Sequence, residues 1–258
     1  PRLELIGGEH AAPPERAAAH ERLELWLARM VAEDLRPLMA LETAWREGRL
    51  PPDARGLACR CIGRAGASEL TAEYSEQVSA AAQATLQRYG VRIGRHTIFL
   101  PKLIRPRAAQ TLAVLWHCAH PGKLHSVFLA RPGALSLPLD RARSWGEVAA
   151  AGYRACGRIA VRLDLVERMA DAIDADPPPP DATLARLIGR PARDLPGILA
   201  ALGYQRAPAE EGAPKRWRRA PQRRKRERAP AADNAFAELA NLMPASPHPP
   251  RRRRSRRA

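Results

Sequence analysis

The sequence predicts a mainly α-helical fold with small β elements, a short helix-turn-helix-like or winged-helix-like unit, and a disordered basic C-terminal tail. Three observations lead to this prediction. Apolar residues recur at helical spacing through most of the chain before the proline run at 177–180. β-Branched and aromatic residues are concentrated at 91–100, and positive charge is concentrated beyond residue 213.

The N-terminal third is predicted to be helical. Residues 16–48 read as one helical stretch, which Pro37 is expected to kink or break. Asp53 is a candidate N-cap for a short third helix, and a longer helix is expected from Glu69 to Gly90. The apolar stripe of the first segment is formed by Leu23, Trp26, Leu27, Met30 and Val31.

The middle of the chain is predicted to combine a short β segment with further helices. Residues 91–100 indicate a strand or a short hairpin, and Pro106 is expected to open a helix. Asp164 and Glu167 have the spacing of a capping box, in which Asp164 caps the helix and Glu167 reaches back.

After the proline run, two short apolar segments end at Gly189 and Gly203, and residues 215–219 are a candidate strand. Two short helices around a tight turn are typical of a helix-turn-helix unit, although plain packing gives the same pattern. The predicted division is a helical domain over 1–176, the helix-turn-helix-like unit over 181–220 and the tail over 221–258.

The positive charge lies mostly at the C-terminus. Residues 214–258 hold 15 lysines and arginines and 3 acidic residues, so this segment carries +12 of the formal charge of +16. Such a segment repels itself, stays extended and binds polyanions. Nucleic acid is the first candidate and an acidic membrane the second, while a solvated tail that only aids solubility is the alternative.

The nucleic-acid-binding residues are expected in the first part of this segment. Arginine offers forked donors to phosphate, and the aromatic residue among the cations can stack on an unpaired base. A second arginine cluster lies at 251–257. The predicted site consists of Lys215, Arg216, Trp217, Arg218, Arg219, Arg223, Arg224, Lys225 and Arg226.

The sequence predicts no catalytic residue and no metal ligand. It contains no G-x-x-x-x-G-K-[ST], G-x-S-x-G or H-E-x-x-H motif and no C-x-x-C pair. His117, Cys118, His120 and His125 are metal-ligand residue types close in sequence, but a structural zinc site needs four defined ligands. Ordinary surface and helix-end histidines explain this histidine cluster better, and a small metal-dependent enzyme is the weaker hypothesis.

The chain is expected to be cytoplasmic and reduced. Its cysteines, at positions 59, 61, 118 and 156, are too few and too scattered for a disulfide framework. No apolar run of transmembrane length occurs in the sequence, and neither a signal peptide nor a membrane partner is expected. A chain that begins at Pro1 is expected to be a fragment or a product separated from upstream sequence.

The order of several segments resembles the C-terminal region of bacterial helicase-related proteins, which are DExH superfamily-two helicases similar to the mitochondrial RNA-degradosome helicase. Each segment is modestly specific, and their shared order, which extends to about Leu242, carries the resemblance. The segments are 21–27 (ERLELWL), 35–38 (LRPL), 88–94 (RYGVRIG), 98–101 (IFLP), 154–158 (RACGR), 161–171 (VRLDLVERMAD), 198–204 (ILAALGY) and 234–239 (NAFAEL).

The resemblance implies an accessory region of an ATP-dependent helicase, with RecA-like motor domains as partners. The chain is expected to bind nucleic acid, RNA in preference to DNA. ATP and Mg²⁺ would belong to those motor domains, and no cofactor is expected in this chain. Because the Walker A loop, the DExH box and the arginine finger are absent here, no catalytic residue of the family can be carried over. The alternative is a free-standing basic protein associated with RNA, the ribosome or the nucleoid.

Overall fold

The computed structural model describes residues 4, 6, 12–70, 78–120, 127–140, 143–207 and 216–220. These residues form a mainly helical fold with three small antiparallel sheets, as the sequence predicts. The predicted tail at 221–258 and the second arginine cluster lie outside the described residues.

The first two helices are α1 (Pro13–Asp34) and α2 (Arg36–Arg46), so the predicted break at Pro37 is confirmed. The apolar stripe of α1 is less buried than its pattern suggests. No residue of α1 is fully buried, and Trp26 is 59% exposed. Among the described elements, α1 makes its main contacts with α2 and the later helix α5 (Pro106–Ala119).

Helix α3 (Pro52–Gly63) follows a two-proline turn, and helix α4 (Ala80–Arg88) begins at the cap Ser79. The N-cap of α3 is Pro51, so the prediction that Asp53 caps this helix is wrong. Asp53 instead accepts hydrogen bonds from the hydroxyl of Ser79 at 2.5 Å and from its backbone N–H at 3.3 Å. The Ser79 hydroxyl thereby holds the pKa of Asp53 below its ordinary value.

The predicted helix start at Glu69 is also wrong. Glu69 ends strand β1 (Ala67–Glu69), because this segment pairs with a strand nearly thirty residues later in the chain rather than with its own neighbours. Residues 71–77, which belong to the same predicted helix, lie outside the described residues. The predicted stop is confirmed, since Gly90 has a φ of +81° just after α4.

The predicted β segment is a hairpin of β2 (Arg92–Ile93) and β3 (Thr97–Phe99). Strand β3 is the centre of the first sheet, with Ser68 of β1 and Ile93 of β2 on either side of Ile98. A short 3-10 helix (Pro101–Ile104) connects it to α5, which begins at Pro106 as predicted. The buried side of this region forms the first hydrophobic core, which includes Leu41, Leu57, Leu86 and Leu112.

The second sheet has the order β4 (Ser136–Pro138), β6 (Ile159–Arg162), β5 (Tyr153–Cys156). Helix α6 (Trp145–Ala150) precedes β5 and begins at the cap Ser144. Strand β6 runs directly into α7 (Leu163–Ile173).

The last described elements are α8 (Asp181–Leu187), a 3-10 turn, α9 (Leu195–Ala201) and the hairpin of β7 (Tyr204–Arg206) and β8 (Trp217–Arg219). The two short helices and the strand within 215–219 are confirmed. Both helices pack with α7 on the second hydrophobic core, whose members include Val166, Met169, Leu184 and Ile198. This core therefore contains residues from both sides of the proline run, and Pro1–Ala220 clusters as one compact unit.

No helix in the part of the chain that the structure describes is long and apolar enough to cross a membrane.

Candidate nucleic-acid interface

The described part of the predicted site is strand β8, which pairs antiparallel with β7. The register places Tyr204 opposite Arg219, Gln205 opposite Arg218 and Arg206 opposite Trp217. Because side chains alternate between the faces of a strand, Trp217 and Arg219 share the face on which Tyr204 is buried. Arg218 belongs to the opposite face and is exposed.

The ring of Trp217 is partly buried and is held in place by protein contacts. Its Nε1–H donates to Asp181 at 2.8 Å, and the guanidinium of Arg206 lies 4.7 Å from the ring centroid. Arg206 also donates to Asp181 at 2.7 Å, so one carboxylate at the start of α8 fixes both side chains. The ring packs against the second core. Trp217 thus anchors strand β8 to α8 and to the second core, and its stacking on a base stays a prediction.

Two of the three described arginines in the predicted site already have protein partners. Arg219 donates to the backbone carbonyl of Arg95 at 2.9 Å. Arg216 reaches Asp176 at 3.3 Å, and both of these side chains are exposed. Within the described residues, the side chain of Arg218 makes no hydrogen bond or ion pair, which leaves its guanidinium available to phosphate. Lys215, Arg223, Arg224, Lys225 and Arg226 lie outside the described residues.

The carbonyl that accepts from Arg219 belongs to the turn between β2 and β3, which packs against Glu167 of α7. The Glu167 side chain, 1% exposed, accepts hydrogen bonds from the backbone N–H of Arg95, from that of His96 and from the hydroxyl of Thr97. A Cβ on Gly94 would lie 2.2 Å from the carboxylate carbon, so only glycine leaves room for it.

The predicted capping box is therefore wrong. Helix α7 has Arg162 as its N-cap residue, with no side-chain cap. Asp164 pairs with Arg162 through two hydrogen bonds, at 2.6 and 3.0 Å. Glu167 faces the β2–β3 turn instead of its own helix end, because a buried carboxylate is stabilised by the several donors that this turn supplies.

His96 connects the same turn to β7. Its Nε2 lies 3.0 Å from the hydroxyl of Tyr204, and Arg154 donates to the His96 carbonyl at 3.2 Å. Burial, together with the positive charges of Arg154, Arg219 and Arg95, lowers the pKa of His96 to about 4. The histidine is consequently neutral at physiological pH, and burial likewise raises the pKa of Tyr204.

Sequence reasoning missed this network, which fixes the β7–β8 hairpin on the rest of the fold. The spacing of Glu167 from Asp164 suggested a capping box in its own helix. Nothing in the spacing of Arg154 or Tyr204 indicates that both contact the β2–β3 turn. The one usable signal was that residues 94–97 hold a glycine between two β segments, which indicates close backbone approach.

Carboxylates balance much of the surrounding positive charge. Arg95 pairs with Asp171, at 3.2 Å, and with Asp174, while Arg92 lies 3.8 Å from Asp171. The surface around the β2–β3 hairpin is thus a network of ion pairs. These exposed pairs contribute little to stability, and their carboxylates compete with an incoming phosphate for the arginines. Among the described residues of β8, Arg218 is the cation whose side chain has no protein partner, and the chain continues from this strand into the Arg-rich segment 221–228.

The histidine cluster is part of a helix end. His117 and Cys118 lie in α5, and His120 follows it, with its ring stacked on Trp116 at 4.2 Å and its Nδ1 2.8 Å from the Trp116 carbonyl oxygen. His125 lies outside the described residues. Among the residues that the structure does describe, no group of three or more His, Cys, Asp or Glu could hold a metal ion.

The four cysteines are free thiols. Cys61 is buried and Cys59 is exposed, so this closely spaced pair lies on different faces of α3. Burial raises the pKa of the Cys61 thiol to about 12 and, despite the nearby charge of Arg154, that of Cys156 to about 12 as well. Neither buried thiol is suited to nucleophilic chemistry.

Comparison of the chain with protein-family models, with curated proteins and with solved structures finds no match.

Proposed function

We propose that this protein binds nucleic acid, RNA in preference to DNA, as an accessory region of an ATP-dependent helicase. The basic segment that starts at β8 binds strand phosphates, and RecA-like motor domains supply ATP hydrolysis. The observation that carries the binding proposal is the concentration of +12 of the formal +16 in residues 214–258. The helicase context depends on the order of the segments that resemble the helicase-related family.

The anchoring of β8 supports a guiding role for this segment. Asp181 holds Trp217, and the Arg95 carbonyl accepts from Arg219, so the first residues of the basic segment have a fixed position on the compact unit. Phosphate contacts from such a fixed point orient a strand without reading its sequence. In this proposal α8, α9 and the β7–β8 hairpin act together as a winged-helix-like unit, whose hairpin rather than helix faces the strand.

The helicase context is tested by mixing the full chain with a purified RecA-like DExH motor and measuring RNA-stimulated ATPase activity. The chain is expected to raise this activity, and the variant R223A/R224A/K225A/R226A is expected to raise it less. The matched control is R55A/R88A, which removes two exposed arginines of the compact unit that have no partner among the described residues. An unchanged ATPase rate with intact RNA binding contradicts the helicase context and favours the free-standing ribosome- or nucleoid-associated protein.

A further inference from the structure

A second cationic site lies in a cleft away from the C-terminal segment. Its volume is about 360 Å³, and it is formed where the start of α2, the 3-10 helix after β3 and the start of α5 meet. Two stretches of chain that are distant from each other in sequence, 33–37 and 102–108, supply its walls. Its charged residues are Glu33, Asp34, Arg36, Lys102, Arg105 and Arg107.

The two acids do not neutralise the four cations of the cleft. Asp34 is occupied, because it accepts from Arg107 Nε at 2.7 Å and from the hydroxyl of Thr111 at 2.8 Å. Glu33 lies 3.9 Å from the same arginine. Within the described residues, Arg36, Lys102 and Arg105 have no acidic partner and are exposed. The cleft therefore holds three cations whose charge no neighbouring carboxylate cancels.

Convergence of uncompensated cations is costly unless water or an anion screens it. Like charges that line a single cleft repel one another, and this repulsion falls when an anion binds between them. The first turn of α5 adds to the positive potential, since it has no acidic residue and no side-chain cap. The helix end only adds to this potential, and the three cations, Arg36 from one stretch and Lys102 and Arg105 from the other, are the feature that selects the ligand.

We infer that this cleft binds a phosphate group. Guanidinium groups of Arg36 and Arg105 offer paired donors to phosphate oxygens, and the ammonium of Lys102 offers a compact charge. The exposed walls suit a phosphate carried on a larger molecule, either the backbone of a nucleic acid or a free phosphorylated compound. The site contains no residue of β8. This inference therefore goes beyond the proposed function and does not depend on it.

The test follows the backbone amides of Lys102, Arg105, Arg107 and Ala108 by NMR while inorganic phosphate is added to the full chain. Saturable shifts at these amides are expected with phosphate and not with chloride at matched ionic strength. The shifts are expected to disappear in R36A/R105A and to persist in R55A/R88A. Absence of saturable shifts in the unmodified chain, or their persistence in R36A/R105A, overturns the proposal.

A gain-of-binding variant keeps the test independent of whether the loss variants fold. E33Q removes the one acid of the cleft that is not committed to a close ion pair, and it is expected to tighten phosphate binding roughly two- to fivefold. Unchanged or weaker binding by E33Q counts against the proposal. Titration with a single-stranded oligonucleotide and with a mononucleotide then separates the sources. Shifts of the same amides with the oligonucleotide identify a strand-backbone site, and shifts only with the mononucleotide identify a small-molecule site.

Discussion

The carboxylate of Glu167 lies 3.2 Å from the backbone nitrogen of His96, although 71 residues separate them in the chain. This hydrogen bond, with those from Arg95 and Thr97, joins α7 to the β2–β3 turn. The same turn receives Arg219 of β8, so one buried carboxylate fixes the surface on which the basic hairpin is mounted.

Removal of the Glu167 carboxylate is expected to destabilise the protein strongly. E167A leaves two backbone N–H groups and a hydroxyl without their acceptor, and each buried unsatisfied group costs about 1–3 kcal/mol. We expect a loss of roughly 3 kcal/mol or more in the free energy of unfolding, measured by urea denaturation. R168A, at the next position of α7 and exposed, is the control and should change stability by less than about 0.5 kcal/mol.

Two glycine substitutions should have opposite effects. G94A places a Cβ 2.2 Å from the Glu167 carboxylate and must displace it, whereas G56A adds a Cβ with nothing within 4 Å on helix α3. G94A is expected to lower the thermal midpoint, and G56A to stabilise the fold by about 0.5–1 kcal/mol through helix propensity. Similar midpoints for the two variants would show that the turn does not approach Glu167 closely.

Asp181 is expected to control the order of the β7–β8 hairpin. D181N weakens the acceptor of both Trp217 and Arg206, while D176N affects only the exposed pair with Arg216. Hydrogen exchange of the β7 and β8 amides should accelerate at least several-fold in D181N and remain near the wild-type rate in D176N. Equal exchange rates in both variants would contradict the proposal that the Asp181–Trp217 hydrogen bond anchors the hairpin.

The free energy of unfolding should decrease as the pH is lowered from 7, because of His96. Its pKa in the folded protein is about 4, lowered by burial and then by Arg154, Arg219 and Arg95, whereas a histidine in the unfolded chain titrates near 6.5. The unfolded chain therefore binds the extra proton as the pH falls from about 6.5 to about 4, which favours unfolding.

Between pH 7 and pH 5 this difference is expected to cost the wild type roughly 1–2 kcal/mol more than H96Q, in which glutamine does not titrate and can still reach the Tyr204 hydroxyl. Urea denaturation of both proteins at the two pH values measures it. Parallel pH dependences would mean that His96 is not buried in its neutral form.

The sequence predicted the helix boundaries set by proline and glycine, but the caps at Asp53 and Asp164 and the strand pairing of Glu69 were predicted wrongly. Proline and glycine act through their own backbone, so the break at Pro37, the start at Pro106 and the stops at Gly189 and Gly203 could be read directly. Strand β1 could not, because Glu69 is a strand residue only through its pairing with Thr97.

The candidate site divides in the same way. Its charge is a property of composition and was predictable, but the partner of each cation was not. The arginines next to Trp217 in the sequence suggested that its ring stacks on a base. In the structure the ring is held by Asp181 and Arg206, which are not its neighbours in the sequence. The cleft with Arg36, Lys102 and Arg105 likewise forms only when the start of α2 packs near the stretch 102–108.

The central claim, phosphate binding by the segment that begins at β8, is tested most directly by the salt dependence of binding to single-stranded RNA. If about six phosphates are neutralised, log K against log salt should have a slope of roughly −4. The slope should become shallower by roughly 3 in R223A/R224A/K225A/R226A and by about 0.7 in R218A, and stay the same in R55A/R88A. A flat salt dependence, or a slope that the quadruple variant leaves unchanged, would contradict the account.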